Sequence, residues 1–312
     1  MTITNYAAYA WERRYVFRQT SVGATAPAAL DNTCPQFDVK SSNLKVTDEI
    51  VDAMGAYGDR SRKQFRIRHG IQRVAGSMTF DLSFKILDFF MPAISGTAAT
   101  PYIPALNLLP FDMCQSTFTG TDTNAEMFTE MYVSRARINF RPGPLELELD
   151  VVGKAYGTQT FPSAPVMGIT EEYQPMVFYD FANGLNFNDQ SSFTPNFERA
   201  TLTVDNRCDQ KFRNNRTAVS IRPQGRIVTL DLDLPLTSSA WSTLWGDKLA
   251  LGRITLTAAR DNLGTVITLY NVVAPDTGIE QPMTGEMPFH LRYEARSDNT
   301  NPEFNWTVDS TP

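Results

Sequence analysis

Residues 67 to 91 and residues 221 to 245 lie over each other without a gap, at a constant offset of 154. The coinciding positions are apolar in both copies: Ile67 with Ile221, Val74 with Val228, Met78 with Leu232, Phe80 with Leu234 and Leu82 with Leu236. Leu87, Phe90 and Met91 then meet Trp241, Leu244 and Trp245. A period this long exceeds the roughly 20 to 50 residues of solenoid units and marks two copies of a whole domain, each expected to bury its own core. The length of 312 residues fits two domains of about 150 residues.

Within each copy a strand is followed by a helix. Met78, Phe80 and Leu82 alternate with Ser77, Thr79 and Asp81, and Leu230, Leu232 and Leu234 alternate with Asp231 and Asp233, the period of half-buried strands. The period then lengthens to about 3.6 at Leu87, Phe90 and Met91 and at Trp241, Leu244 and Trp245, which predicts a short amphipathic helix in each copy. Pro92 is expected to stop the first, while Ser238 caps and Gly246 ends the second. Further strands are expected at Val133 to Phe140 and Leu145 to Val152 around a Pro-Gly turn, at Arg253 to Ala259 and Thr265 to Val272, and at Phe289 to Ala295. The chain divides into an N-terminal arm and first strand (1–33), a first domain (34–154) with a long Thr, Pro and Asn-rich loop at 97–128, and a connecting segment (155–196). A second domain (197–296) and a polar C-terminal tail (297–312) complete it.

Composition narrows the function. A formal net charge of −6 argues against gripping nucleic acid by phosphate neutralisation. Cys34, Cys114 and Cys208 are widely spaced and make neither a disulfide framework nor a zinc site, so they read as small apolar fillers. No run of 18 apolar residues occurs and the start lacks a basic region followed by an apolar one; the chain is expected to be made and kept in a cytosol, without membrane binding of its own. None of the motifs GxSxG, HExxH, GxxxxGK[ST] or GxGxxG is present, and His69 and His290 are the only histidines. No catalytic, cofactor-binding or metal-binding residue is therefore nominated.

Charge is patterned all the same. Glu146, Glu148 and Asp150 lie on one face of one strand, and so do Asp231 and Asp233. Neighbours two apart on a strand sit about 7 Å apart, within reach of a glycosidase pair, but such a pair must flank a bond and these carboxylates point the same way. They read as a solvated face or as a deliberately acidic surface. Arg60, Arg62, Lys63 and Arg66 precede the repeated strand in the first copy, and Arg213 and Arg216 do so in the second. Contacts between subunits are favoured for both runs over a nucleic-acid patch, since no recognition motif accompanies them.

Phe17 to Pro27 forms a strand followed by a Gly, Thr and Pro break; Ser42 to Ile50 is Ser-rich and acidic; Gly70 to Phe80 holds a Gly, Arg, Val, Gly, Ser strand. Arg135 to Gly153 is a hairpin with a Pro-Gly turn, and Ala200 to Asn206 reads Leu, Thr, hydrophobic, Asp, Asn. The order of these stretches resembles the tail tube proteins of long-tailed bacteriophages, in their larger, duplicated form. The resemblance implies a mainly β protein of two tandem β-sandwich domains, each with a short flanking α-helix, whose inner sheets join between subunits into a β-barrel channel. It implies a virion protein assembled in the bacterial host cytoplasm, forming trimeric, pseudo-hexameric rings stacked into a tube. Its partners are then other copies of itself, a tape-measure protein, a tail terminator and genomic double-stranded DNA that passes without specific binding. On that reading Asp231 and Asp233 face the lumen, followed by Glu146, Glu148 and Asp150, and Ser77, Thr79 and Asp81 take the corresponding place in the first copy. The competing readings are another ring-forming tail component, such as a terminator or hub, and a carbohydrate-binding or hydrolysing β-sandwich using the acidic strands, with Trp241 and Trp245 available for sugar stacking although their helical spacing reads as core.

Overall fold

The computed structural model describes residues 13–20, 30–52, 67–117, 124–162, 166–167, 171–182, 184–187, 194–235, 252–279, 288–298 and 300–311. The first copy runs β1 (Arg13–Gln19), β2 (Pro35–Gln36), β3 (Ser41–Ser42), β4 (Lys45–Asp52), β5 (Ile67–Asp81), α1 (Phe84–Ser95), β6 (Phe111–Thr117), β7 (Asn124–Phe140), β8 (Glu146–Gly153) and β9 (Ala155–Thr160). After β10 (Val166–Met167), the second runs β11 (Leu185–Phe187), β12 (Arg199–Asp205), β13 (Cys208–Lys211), β14 (Ser220–Pro223), β15 (Ile227–Pro235), β16 (Gly252–Arg260), β17 (Leu263–Ile279), β18 (Pro288–Ala295) and β19 (Phe304–Asp309).

Two layers result. One is a single antiparallel sheet in the order β4, β5, β8, β7, β12, β15, β18, β17. The other layer is split, with β9, β7, β6 and β1 over the first copy and β19, β17, β16 and β11 over the second. The long strands β7 and β17 belong to both layers and turn the corner at matching bulges. Register slips between Val133 and Arg135 on β7 and between Val273 and Asp276 on β17. Just ahead of each slip stands a left-handed residue, Glu130 at φ 47° and Asn271 at φ 48°, where an extra residue bends the strand. Glu130 is held there by Asp112 Oδ1, which accepts from its backbone N–H at 2.9 Å, and by Lys154 Nζ at 2.6 Å.

The duplication therefore extends to the hydrogen-bond register. Ile227 faces Asp205 as Arg73 faces Thr47, and Phe289 faces Leu234 as Leu147 faces Phe80. The two copies nevertheless share one contiguous core rather than the two separate cores expected. The reason is the junction of β7 with β12, where Arg135 to Phe140 pairs with Ala200 to Asp205 and leaves no seam in the sheet. Phe17, Phe80, Phe90 and Phe111 pack between the layers, with Phe90 edge-on to Phe111 at 5.4 Å between ring centroids. Each such side chain contributes about 1.5–3 kcal/mol of burial.

Helix α1 closes this core and corrects one expectation. Ser83 caps it by accepting from the Ile86 N–H at 3.2 Å, but the helix runs through Pro92 to Ser95 and ends at Gly96 in the left-handed region, φ 91°. Proline deprives the Asp88 carbonyl of its helical donor. The Tyr102 hydroxyl sits beside that carbonyl at 3.3 Å while donating to the Asp88 carboxylate at 2.5 Å, and the helix continues. The second helix expected around Trp241 to Gly246 lies outside the described residues.

Three segment assignments change as well. The 97–128 stretch holds β6 and the beginning of β7, because Phe111, Met113 and Cys114 are fully buried and show no alternation to betray a strand. The connecting stretch 155–196 holds β9, β10 and β11. The polar tail 297–312 contains β19, whose Phe304, Trp306 and Val308 fill the second copy's core. Trp306 is 2% exposed, and its indole N–H donates to Thr265 Oγ1 at 2.7 Å.

Candidate functional site

The eight-stranded sheet buries one face and leaves the other polar. Along β8 burial alternates strictly, with Leu147, Leu149 and Val151 inside and Glu146, Glu148 and Asp150 outside. On β15, Asp231 and Asp233 lie outside between Leu230, Leu232 and Leu234. Cross-strand pairs share a face, so Ser77, Thr79 and Asp81 of β5 stand beside Asp150, Glu148 and Glu146. The nominated acidic and hydroxyl residues thus occupy one surface, on strands from both copies.

That surface is not bare carboxylate. Asp150 accepts from Arg135 Nε at 2.7 Å and Glu148 from Arg137 Nη1 at 3.0 Å. Glu146 meets Lys40 and Arg141, each at 2.5 Å, and Lys40 also reaches Asp81 at 3.3 Å. In the second copy Asp233 pairs with His290 Nδ1 at 2.8 Å, and Arg292 approaches Asp231 at 3.7 Å. The Lys40 and Arg141 cations hold the Glu146 carboxyl below its ordinary value against the opposing effect of burial. Sequence reasoning missed these basic partners, although Arg135 and Arg137 carry the period-two signal and the short turn to β8 fixes what they face.

The repeat does not conserve the charges. Arg135 faces Asp150 between β7 and β8, whereas the equivalent positions of β17 and β18 hold Asp276 facing Arg292. Asp231 and Asp233 take the places of Ser77 and Thr79.

The sheet also has two open edges. Among the described residues, β4 pairs only with β5, and the stretch of β17 from Asp276 to Ile279 pairs only with β18. In the interior of the sheet, their counterparts β12 and β7 pair with each other. Of the basic residues nominated for subunit contacts, Arg216 forms an ion pair with Asp48 of β4 at 2.9 Å within the chain, and Arg213 is exposed at a left-handed turn, φ 39°. Arg60, Arg62, Lys63 and Arg66 lie outside the described residues. Cys114 and Cys208 have thiol pKa values pushed by burial up to about 12, as befits packing residues. Among the described residues no cluster of His, Cys, Asp or Glu is disposed to hold a metal ion, and no helix is long and apolar enough to cross a membrane.

A sequence profile described as phage tail tube protein matches residues 13–294, from the first residue of β1 to the penultimate residue of β18. The chain belongs to the phage tail tube protein family. Both copies and the junction between them lie inside the match, so the likeness extends over the whole sheet and not one half of it. Tail tube proteins are structural components of the virion tail, and this chain is one. No curated protein sequence matches the chain.

Proposed function

We propose that three chains close their eight-stranded sheets into one barrel, and that stacked barrels form the tube through which genomic DNA leaves the virion. The observation that carries this reading is the β7–β12 junction. It joins two equivalent four-stranded units inside one chain, and the same junction between the free β17 edge of one chain and the free β4 edge of the next is a head-to-tail contact able to close a ring. Open edges of this length invite association, and closure removes them.

Three chains supply about 24 inner strands, which at ~4.8 Å spacing give a circumference of ~115 Å and a backbone diameter of ~37 Å. A DNA duplex passes through such a ring with side chains in place. The polar face carrying Asp231, Asp233, Glu146, Glu148 and Asp150 lines the channel, while the apolar face is occupied by the core. Their ion pairs with Arg135, Arg137 and Arg292 of neighbouring strands tie those cations to the wall, so that phosphate does not recruit them and slides. A tape-measure protein fills the channel before ejection and a terminator ends the polymer. Electron microscopy of the purified protein, with mass measured per ring, tests the proposal. Hollow tubes with three chains per ring are expected; discrete rings would point to a terminator or hub, and any other count of chains would refute the trimer.

A further inference from the structure

The internal repeat specifies more than ring closure: it gives the register of the contact. Within the chain, Asp205 pairs with Arg135, Thr203 with Arg137 and Leu202 with Ile138. The strand β12 then continues into the β13–β14 hairpin, which lies across the first copy's sheet. Gln210 Nε2 donates to the carbonyls of Val74 and Gly153 at 3.0 and 2.8 Å, and the Gln72 N–H donates to the Arg216 carbonyl at 2.7 Å. Ile221 packs with Leu108 and Tyr132 in a small apolar cluster beneath the hairpin.

The first copy carries the counterpart of this hairpin. Ile50 pairs with His69, Val51 with Arg68 and Asp52 with Ile67, as Cys208 pairs with Pro223, Asp209 with Arg222 and Gln210 with Ile221. Its surroundings differ. Cys208 and Asp209 are half-buried, whereas Ile50 is 65% and Val51 49% exposed, two large apolar side chains on an unpaired edge.

Resting on the tube reading, we infer that β4 of each subunit adds to β17 of its neighbour with Thr47 opposite Asp276, Val46 opposite Thr277 and Lys45 opposite Gly278, so that the end of the β4–β5 hairpin, where Ile50 to Asp52 pair with Ile67 to His69, lies over the neighbour's second copy. The register follows from two equivalences. Thr47 stands to Arg73 as Asp205 to Ile227, and Asp276 stands to Arg292 as Arg135 to Asp150. Because Asp205 faces Arg135, Thr47 faces Asp276. Cys208 lies against the Val133 carbonyl beside Tyr132; Ile50, its counterpart, then lies against Ala274 and Val273, and its exposed surface is covered. One contact does not repeat: Asp52 stands where Gln210 does and has no N–H to offer the two carbonyls. The bonding there falls to the strand pair and to Ile50.

Disulfide trapping in the full-length protein tests the register. Thr47→Cys with Asp276→Cys, and separately Lys45→Cys with Gly278→Cys, should convert oxidised tubes to covalent dimers and trimers on non-reducing gels. Thr47→Cys with Gly278→Cys, two residues out of register on the same face, should leave monomers. Tubes that cross-link through the shifted pair, or through neither in-register pair, would overturn the register and leave the tube reading standing. A wild-type protein that remains monomeric by light scattering would overturn the tube reading and the register with it. Ile50→Asp is a second variant whose exposed position spares the monomer's fold. It should keep the wild-type melting temperature of the monomer while raising the concentration needed for assembly at least tenfold; assembly at wild-type concentration would remove the hairpin end from the interface.

Discussion

Asn206 shows how one side chain ties the two copies together. It is completely buried at the end of β12, donating to the Ile94 carbonyl at 3.1 Å and the Val133 carbonyl at 3.2 Å and accepting from Arg226 Nε at 2.9 Å. Arg226 in turn donates to the Ala105 carbonyl at 2.9 Å, near the C-terminal end of α1, where a cation is favoured by the helix dipole. Replacing Asn206 by Ala strands both carbonyls and the guanidinium, so Asn206→Ala should cost about 2–4 kcal/mol in urea unfolding, whereas an exposed control such as Leu106→Ala should cost less than about 0.5 kcal/mol. The sequence motif ending in Asn206 was legible, but its partners, up to 112 positions away, were not. Glu146 supplies a pH test at the same scale. Lys40 and Arg141 lower its folded pKa below the ordinary 4.5, so its contribution is present above that value and is lost as pH falls through the folded one. The Glu146→Gln variant should therefore lose less stability than the parent between pH 5 and about 3, measured by thermal unfolding; equal acid limbs would remove Glu146 from the pairing.

At the scale of elements, legibility followed the period. Strands with one wet face, β5, β8, β15 and β18, announce themselves by alternation, and the acidic stripe fell where the spacing put it. Strand β6 did not, since Phe111, Asp112, Met113 and Cys114 are all buried and Asp112 breaks the apolar run. That aspartate belongs inside because Arg18 of β1 meets it at 2.6 Å and the Glu130 N–H donates to it, a pairing visible only after β1 and β7 have come together. The β19 strand was hidden differently: Phe304, Trp306 and Val308 do alternate, but among Asn, Asp and Pro residues they read as a polar tail. Its backbone also pairs with the loop after α1, through Tyr102 and Trp306. Trp306→Ala should thus destabilise by about 3–5 kcal/mol through the cavity alone, and hydrogen exchange should quicken at Tyr102 in the first copy as well as in β17. Exchange confined to the second copy would mean that the two halves do not share a core.

Over the whole molecule the repeat preserves geometry and discards charge. The fold was legible to that extent because apolar positions must recur wherever strands must pair, whereas solvated positions face no such demand. Asp231 and Asp233 replace Ser77 and Thr79, and Asp150 opposite Arg135 becomes Arg292 opposite Asp276. The proposed ring of three such chains would be sixfold in backbone and threefold in charge. If the polar face lines the channel, the carboxylates paired with Arg135, Arg137 and Arg292 keep those cations from holding DNA, since every phosphate neutralised by the wall would release a counterion and add to binding. Reversing the sign at the two positions peculiar to the second copy should create that binding. Asp231→Lys with Asp233→Lys alters partly exposed side chains whose partners are His290 and Arg292, so folding should change by no more than about 1–2 kcal/mol and tubes should still form. Wild-type tubes should fail to co-sediment with short duplex DNA at about 50 mM salt, and the double variant should retain it, with an affinity that falls by about a thousandfold or more towards 200 mM. Retention of DNA by the wild type, or none by assembled variant tubes, would place this face of the sheet away from the channel.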